Sequence, residues 1–162
     1  MRKQLYLDIK ERLKTVKNEA GEQLFKHFDL WNKQVEFIEQ KTAFETPAVF
    51  VEFMPMQWKT LGNSVQDCQV TVRLHIITEC SADYSPTEQQ MLEVFDIIDR
   101  VVAKMQNFDT PYMNACMRTQ SITSHDHQRY VDNVEEYSCN LRDISAVQQL
   151  QSVMVQALAI KQ

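Results

Sequence analysis

The chain has 162 residues, 44% of them hydrophobic and 24% charged, and a net charge of −5. This length suits one domain with one core, over residues 1–162, and the composition excludes wholesale disorder. No apolar run approaches the ~20 residues of a spanning helix, and the N-terminus lacks a signal-peptide core, so no membrane association is expected. An acidic chain repels phosphate, which argues against sequence-specific nucleic-acid binding.

The first helix predicted from the sequence is basic. Residues 1–17 carry six Lys or Arg against two acids, a balance of +4 that leaves −9 on the rest. Leu5, Ile9 and Leu13 recur at helical spacing and, with Val16, predict an amphipathic helix. Its charged surface either meets an acidic patch on a neighbouring copy or is an ordinary solvated face.

The next stretch is rich in aromatic residues. In "EQLFKHFDLWNKQVEFIEQKTAF", Leu24, Phe28, Trp31 and Val35 lie at spacings of four, three and four, which predicts one or two short helical turns and then an irregular connection. Trp31 is interpreted as a core residue, with a partner-facing aromatic as the alternative.

Two strands with period-two alternation follow. "PAVFVEFMP" predicts a strand ending near Met54, because Pro55 lacks the N–H that a central ladder requires. "QVTVRLHII" predicts a second strand, and Gly62-Asn63 between them can supply the positive φ angles of a tight reversal.

The apolar residues at the predicted hairpin tip indicate contacts with another chain. Trp58 and Leu61 flank Gly62 at a place where apolar side chains are poorly positioned to reach their own core. Together with Phe50 and Met56 on the first strand, these residues are candidate interface positions.

The strongest local signal is a helix from about 86 to 106. Ser85 as N-cap, Pro86 at the first helical position and Glu88 at the third predict its start. Its apolar stripe comprises Met91, Val94, Phe95, Ile98, Val101, Val102 and Met105.

The remaining pattern completes the predicted fold. Two strands are expected near 114–123 and 134–143, and segment 144–162 is expected to form a C-terminal helical extension. The order α, ββ, α, ββ, α indicates an α+β protein with an antiparallel sheet of about four strands, a long helix across one face and helices at both ends. The extension adds three candidate interface residues, Leu150, Met154 and Leu158.

The residues offer little support for catalysis. Only two glycines exist, so phosphate-cradling loops and dinucleotide fingerprints are excluded, and no cofactor is expected. The four cysteines contain no CxxC pair and are interpreted as buried thiols. His125 and His127, with His75 or Cys116, could form a metal site, but a solvated link between strands is the preferred interpretation, so no metal is expected.

The order of these segments resembles the tail-terminator and tail-completion proteins of tailed bacteriophages, which join head to tail. The resemblance rests on "FETPAVFVEFMP", "QVTVRLHIITE", "SPTEQQMLEVFDIIDRVVAKM", "RTQSITSHD" and "NVEEYSCNLRD", and "LFKHFDLWNKQVEFIE" is similar to proteins of phages from Bacteroides-type hosts. It implies a non-enzymatic virion protein that is assembled in the host cytoplasm. Such a protein forms a ring of six or twelve copies and contacts neck, portal-side or tail-tube proteins.

Two other classes stay open at this point. The first alternative is a small dimeric α+β binding module of a bacterial cell, which recognises a protein or small ligand on its sheet. The second is an enzyme that uses His125 and His127. Particle size separates the ring from the dimer, and metal analysis addresses the enzyme.

Overall fold

The structure of the protein is a computed structural model that describes residues 1–33, 44–79, 87–124 and 130–147. Within these ranges, one mixed sheet of six strands carries two helices on one of its faces. The elements in chain order are α1 (Arg2–Lys14), β1 (His27–Leu30), β2 (Ala48–Phe53), β3 (Gln57–Gly62), β4 (Val65–Glu79), α2 (Glu88–Met105), β5 (Met117–Ser124) and β6 (Tyr130–Asp143).

Two long strands form the centre of the sheet. β4 and β6 pair antiparallel along almost their whole length, from Gln66 opposite Asp143 to Glu79 opposite Tyr130. The order across the sheet is β1-β2-β4-β6-β5, and β3 pairs with β4 beyond the end of β2. β1 runs parallel to β2, whereas every other pairing is antiparallel.

Pro55 lies where β2 gives way to β3. Phe53 pairs with Val72 and Gln57 pairs with Gln69, so both strands lie along the same edge of β4. The Met54 N–H still donates to the Thr71 carbonyl at 3.0 Å, and the ladder is interrupted immediately afterwards. The prediction that Pro55 ends the strand is confirmed, because the missing N–H falls at this break.

The predicted fold class is wrong. A sheet of about four antiparallel strands with one long helix across it was expected, but the protein is mainly sheet, with six strands in one mixed sheet and two helices in the described ranges. The spacing of Leu24, Phe28 and Trp31 suggested helical turns, yet residues 27–30 form β1. Leu24 and Phe28 pack against the core under the helices, whereas Trp31 packs against a core on the other face of the sheet, and these contacts on two faces happen to have the spacing of one helix face.

Both helices pack on one face of the sheet, where side chains from alternate strand positions point. The prediction of the first helix is confirmed, since Leu5, Ile9 and Leu13 of α1 are fully buried. The buried members of this main core are Leu5, Ile9, Leu13, Val16, Phe25, Val49, Val51, Val70, Val72, Leu74, Ile76, Val101, Met105, Met113, Cys116, Tyr137, Cys139 and Leu141.

The long helix begins slightly later than predicted. Thr87 is its N-cap and forms a capping box with Gln90, so the expected box of Ser85 and Glu88 is corrected. Ser85 and Pro86 lie outside the described residues. Thr87 satisfies the same hydrogen-bonding requirement two positions further along the chain, because its hydroxyl accepts from the Gln90 N–H at 3.3 Å.

The reversal between β3 and β4 is confirmed. Gly62 has a φ of 120°, and Asn63 and Ser64 have φ values of 47° and 62°. Two central residues with positive φ match the right-handed twist of the flanking strands, which makes a two-residue hairpin. By contrast, the predicted C-terminal helix falls on residues 148–162, including Leu150, Met154 and Leu158, which lie outside the described residues.

Candidate assembly interface

The sheet face away from the helices, here called the open face, is polar along β4 and β6. The strand alternation that buries Val70, Val72 and Leu74 under the helices places the intervening side chains on this face. Polar contacts link the two strands here: Asp67 with Arg142, Gln69 with Ser138, Arg73 with Glu136, and His75 with Asp132. This part of the open face therefore lacks the apolar area of an assembly surface.

An aromatic ring covers a charged cluster at one end of the open face. The Trp31 indole stacks on the His75 imidazole, with centroids 3.7 Å apart and planes inclined by 3°. His75 Nδ1 lies 3.0 Å from Asp132 Oδ2, and His75 Nε2 lies 3.3 Å from Glu52 Oε2. Arg73 Nη1 approaches the same Glu52 oxygen at 3.7 Å. Both imidazole nitrogens thus face carboxylates.

Phe50 is buried beside this cluster. It belongs to a small second core on the open face with Ala48, Ile77 and Tyr130, and Trp31 and Phe44 pack against that core. The Phe50 and Phe44 rings make an edge-to-face contact with centroids 4.9 Å apart. As an interface residue, Phe50 stays a prediction, and the structure places it within its own subunit.

The outer side of α2 presents apolar residues between acids. Glu88, Leu92, Phe95 and Asp99 recur at spacings of four, three and four, so they form one stripe along the helix, here called the acidic stripe. Leu92 is 48% exposed and Phe95 is 47% exposed. In the described ranges, Glu88 and Asp99 have no ion-pair partner. Two exposed apolar side chains with acidic residues on both sides are typical of a surface that contacts another protein.

The β5 strand lies at the sheet edge on the same side as the acidic stripe. The Gln106 side chain at the end of α2 accepts from the Arg118 N–H of β5 at 3.1 Å, which joins the two elements. Within the described residues β5 pairs with β6 alone, and Met117 and Ile122 are 49% and 40% exposed. Met117 and Ile122 pair with Ser138 and Val134, which are open-face positions of β6, so these two exposed side chains belong to the open face at the sheet edge and not to the acidic stripe.

The outer side of α1 carries the opposite charge. Lys3, Leu7, Lys10 and Lys14 also recur at spacings of four, three and four, and they form what is here called the basic stripe. Lys14 pairs with Glu11 at 2.6 Å, whereas Lys3 and Lys10 have no carboxylate partner among the described residues. Leu7 is 37% exposed in the middle of the stripe.

The two stripes lie on opposite sides of the helix layer, because α1 and α2 contact each other through other residues. Arg12 Nε donates to the Lys104 carbonyl at 2.9 Å, and Arg100 Nη1 donates to the Lys17 carbonyl at 3.1 Å. Each stripe is therefore turned away from the neighbouring helix of its own subunit. One subunit thus presents a basic surface at one side and an acidic surface at the other.

A groove adds negative charge to the helix layer. It has a volume of about 580 Å³ and lies between the turn at Asn18–Ala20 and the first half of α2. Glu19, Glu93 and Asp96 line it with Ile97, and Arg100 lies 3.7 Å from Glu19. Because the acids outnumber the single arginine, the groove extends the acidic character of α2.

The hairpin candidates divide into two groups. Trp58 is half-buried and packs against the main core, as does Met56, whose sulfur accepts from Arg2 Nε at 3.3 Å. Trp58 pairs with Cys68, so its side chain points to the helix face and reaches the core that the sequence suggested it would miss. Leu61 is 51% exposed, and Gly62 forms the exposed tip.

The cysteines of the described ranges are buried free thiols, namely Cys68, Cys116 and Cys139. The pKa of Cys139 is raised by its hydrogen bond with Cys116 and by burial, and burial raises the pKa of Cys68. With raised pKa values, the Cys68 and Cys139 thiols stay protonated at neutral pH and are poor nucleophiles. Among the described residues no group of three His, Cys, Asp or Glu is arranged to hold a metal ion, and His125 and His127 lie outside these residues.

Sequence reasoning identified the basic surface of the first helix as a possible contact with another copy, but it missed the acidic stripe. It placed Phe95 on the buried side of α2 and assigned no role to Leu7 or Leu92. A signal was present, because the apolar residues of α2, with Leu92 included, spread wider than the single face that a sheet can cover.

Comparison with protein-family models and with curated protein sequences yields no match to this chain. Within the described residues, neither helix is long and apolar enough to cross a membrane.

Proposed function

We propose that the protein is a structural subunit of a bacteriophage particle, which assembles into a homo-oligomeric ring at the neck or tail end and acts without catalysis. Its partners are further copies of itself and other neck, portal-side or tail-tube proteins. The protein is assembled in the host cytoplasm and becomes part of the virion. The ring and its position rest on the resemblance of segment order, and the exposed apolar residues of α2 support association with a partner.

The observation that supports assembly most directly is the exposure of Leu92 and Phe95. Enclosing a large apolar side chain fully is worth ~1.5 to 3 kcal/mol, and each side chain is already about half covered, so a contact gains roughly half of that value per residue. A ring repeats the contact in every copy, so a modest gain per subunit is multiplied. The polar open face has no comparable apolar patch along β4 and β6.

Particle mass tests the proposal. Six copies of the 19.0 kDa chain give about 114 kDa, and a dimeric binding module gives about 38 kDa. Light scattering coupled to size exclusion should find a mass of about 114 kDa or larger. Negative-stain electron microscopy should show closed rings. A monodisperse dimer at all concentrations would instead favour the binding module, and a persistent monomer would remove both readings.

A further inference from the structure

We infer that α1 of one copy docks on α2 of the next copy, so that the basic stripe of the first subunit covers the acidic stripe of the second. This inference rests on the proposed function, since it names the surfaces through which the subunits associate. The occupant of the acidic stripe is a second copy of this chain.

The matching period of the two stripes is the first argument. Lys3, Leu7, Lys10 and Lys14 have the same spacing as Glu88, Leu92, Phe95 and Asp99. Spacings of four, three and four keep side chains on one seam when two helices pack at a small crossing angle. At 1.5 Å per residue, each seam is about 16 Å long, so the two seams match in length as well.

Charge complementarity is the second argument. An antiparallel docking, which helix dipoles favour, brings Lys3 to Asp99 and Lys14 to Glu88. The same register places Leu7 against Phe95 and Lys10 against Leu92 between these ends, where the alkyl chain of Lys10 can cover Leu92. Apolar contact thus lies inside the seam and opposite charges lie at its two ends, in keeping with the usual anatomy of a protein interface.

The position of the stripes is the third argument. Because they lie on opposite sides of the helix layer, a subunit that uses its basic stripe still presents its acidic stripe to another copy. Such a contact is heterologous and generates a ring when the rotation closes. The assembly then needs no second type of interface.

Charge reversal in pairs tests the inference. One variant carries Lys3→Glu and Lys10→Glu, and a second carries Asp96→Lys and Asp99→Lys; Asp96 flanks the acidic stripe. These positions place new acids in the first half of α1 and new lysines in the middle of α2, so the helix dipoles are not opposed. Each variant alone should assemble roughly tenfold more weakly or worse, because like charges then meet at the end of the seam where Lys3 faces Asp99, and the second substitution adds a like charge nearby.

Mixing the two variants provides the decisive measurement. The acidic α1 of one variant can dock on the basic α2 of the other, and the unchanged stripes complement each other, so the mixture should assemble to the wild-type mass in alternating order. The matched control for the α1 variant is Lys26→Glu with Lys59→Glu, which makes the same change of net charge at exposed positions away from both stripes. It should assemble like the wild type.

The possible failures are distinguishable. A wild-type protein that stays monomeric defeats the proposed function together with this inference. A wild-type oligomer that tolerates both reversals, or variants that dissociate but are not rescued by mixing, defeats the inference alone. If truncation after Val147 dissolves an oligomer that tolerates the reversals, the occupant is the C-terminal segment and not α1.

Discussion

The indole of Trp31 lies flat on the imidazole of His75, with ring centroids 3.7 Å apart. Trp31 follows the edge strand β1, and its backbone N–H donates to the Val51 carbonyl of β2 at 2.9 Å, whereas His75 lies in the central strand β4. The stack therefore ties the end of a four-residue strand to the middle of the sheet. Since β1 has only four residues, we infer that this stack contributes much of the stability of its pairing with the sheet.

Replacing Trp31 with Ala should lower the free energy of unfolding by about 1 to 3 kcal/mol, because the stack and the packing on Phe50 are lost together. Urea denaturation of the two proteins measures the difference. Trp31→Phe is the matched control, since it keeps a flat ring over His75 and should lose less. Equal losses in both variants would show that the stacked geometry is unimportant.

The His75–Asp132 contact should be strongly coupled. The two side chains are 8% and 7% exposed, and the second Asp132 oxygen is buried with no hydrogen-bond partner among the described residues. Removing one member leaves the other without its partner in a poorly solvated place, so His75→Gln and Asp132→Asn should each cost about 2 to 4 kcal/mol. The double variant should lose clearly less than the sum. Additive losses in a double-mutant cycle would mean that the two residues stabilise the fold independently.

The elements with a single strong period were predictable from sequence. The helical spacing of Leu5, Ile9 and Leu13 predicted α1, and the alternation of Val70, Val72 and Leu74 predicted the middle of β4. These elements bury one continuous face, so the local pattern records the packing directly. The reversal near Gly62-Asn63 was predictable for a similar reason, because positive φ angles restrict residue type, although its two central residues are Asn63 and Ser64.

The remaining features depend on distant residues. β1 is a strand because β2 lies beside it, and nothing within residues 27–30 specifies a parallel partner. The contact between His75 and Asp132 spans 57 positions, and a buried acid such as Glu135 appears in sequence as an ordinary polar strand residue. The acidic stripe likewise could be recognised only once the structure showed which side of α2 packs on the sheet.

The Asp67–Arg142 pair should make stability depend on pH in the acid range. The hydrogen bond from the Arg142 guanidinium lowers the pKa of Asp67 below its ordinary value of 3.8. A carboxyl with a lowered pKa stabilises the folded state above its unfolded pKa, and this contribution is lost as the pH falls through the folded pKa. The stability gap between wild type and Asp67→Asn should therefore close as the pH falls below about 4.

Chemical denaturation at several pH values, at low ionic strength, measures this gap. Arg142→Gln is the matched control, because it breaks the same pair from the other side and should give a gap with the same pH dependence. A gap that stays constant down to pH 2 would show that Asp67→Asn acts through some other contact. Added salt should reduce the gap, since both side chains are accessible to solvent.

The two apolar residues of the hairpin should behave differently when they are replaced. Trp58→Ser should lower the free energy of unfolding by about 1 to 3 kcal/mol, because the indole packs against the main core. Leu61→Ser should leave the unfolding free energy within ~0.5 kcal/mol, since this side chain is 51% exposed. If the hairpin tip contacts another chain, Leu61→Ser should nevertheless reduce the assembled mass.

Thermal melting and light scattering on the same samples separate these effects. Thr60→Ser is a suitable control for Leu61→Ser, because it changes the neighbouring exposed position without removing a large apolar side chain. Loss of assembly in Leu61→Ser with an unchanged melt would assign the tip to an interface. An assembled mass that is unchanged in Leu61→Ser, and reduced in Trp58→Ser only in step with its lower stability, would show that the hairpin serves its own subunit.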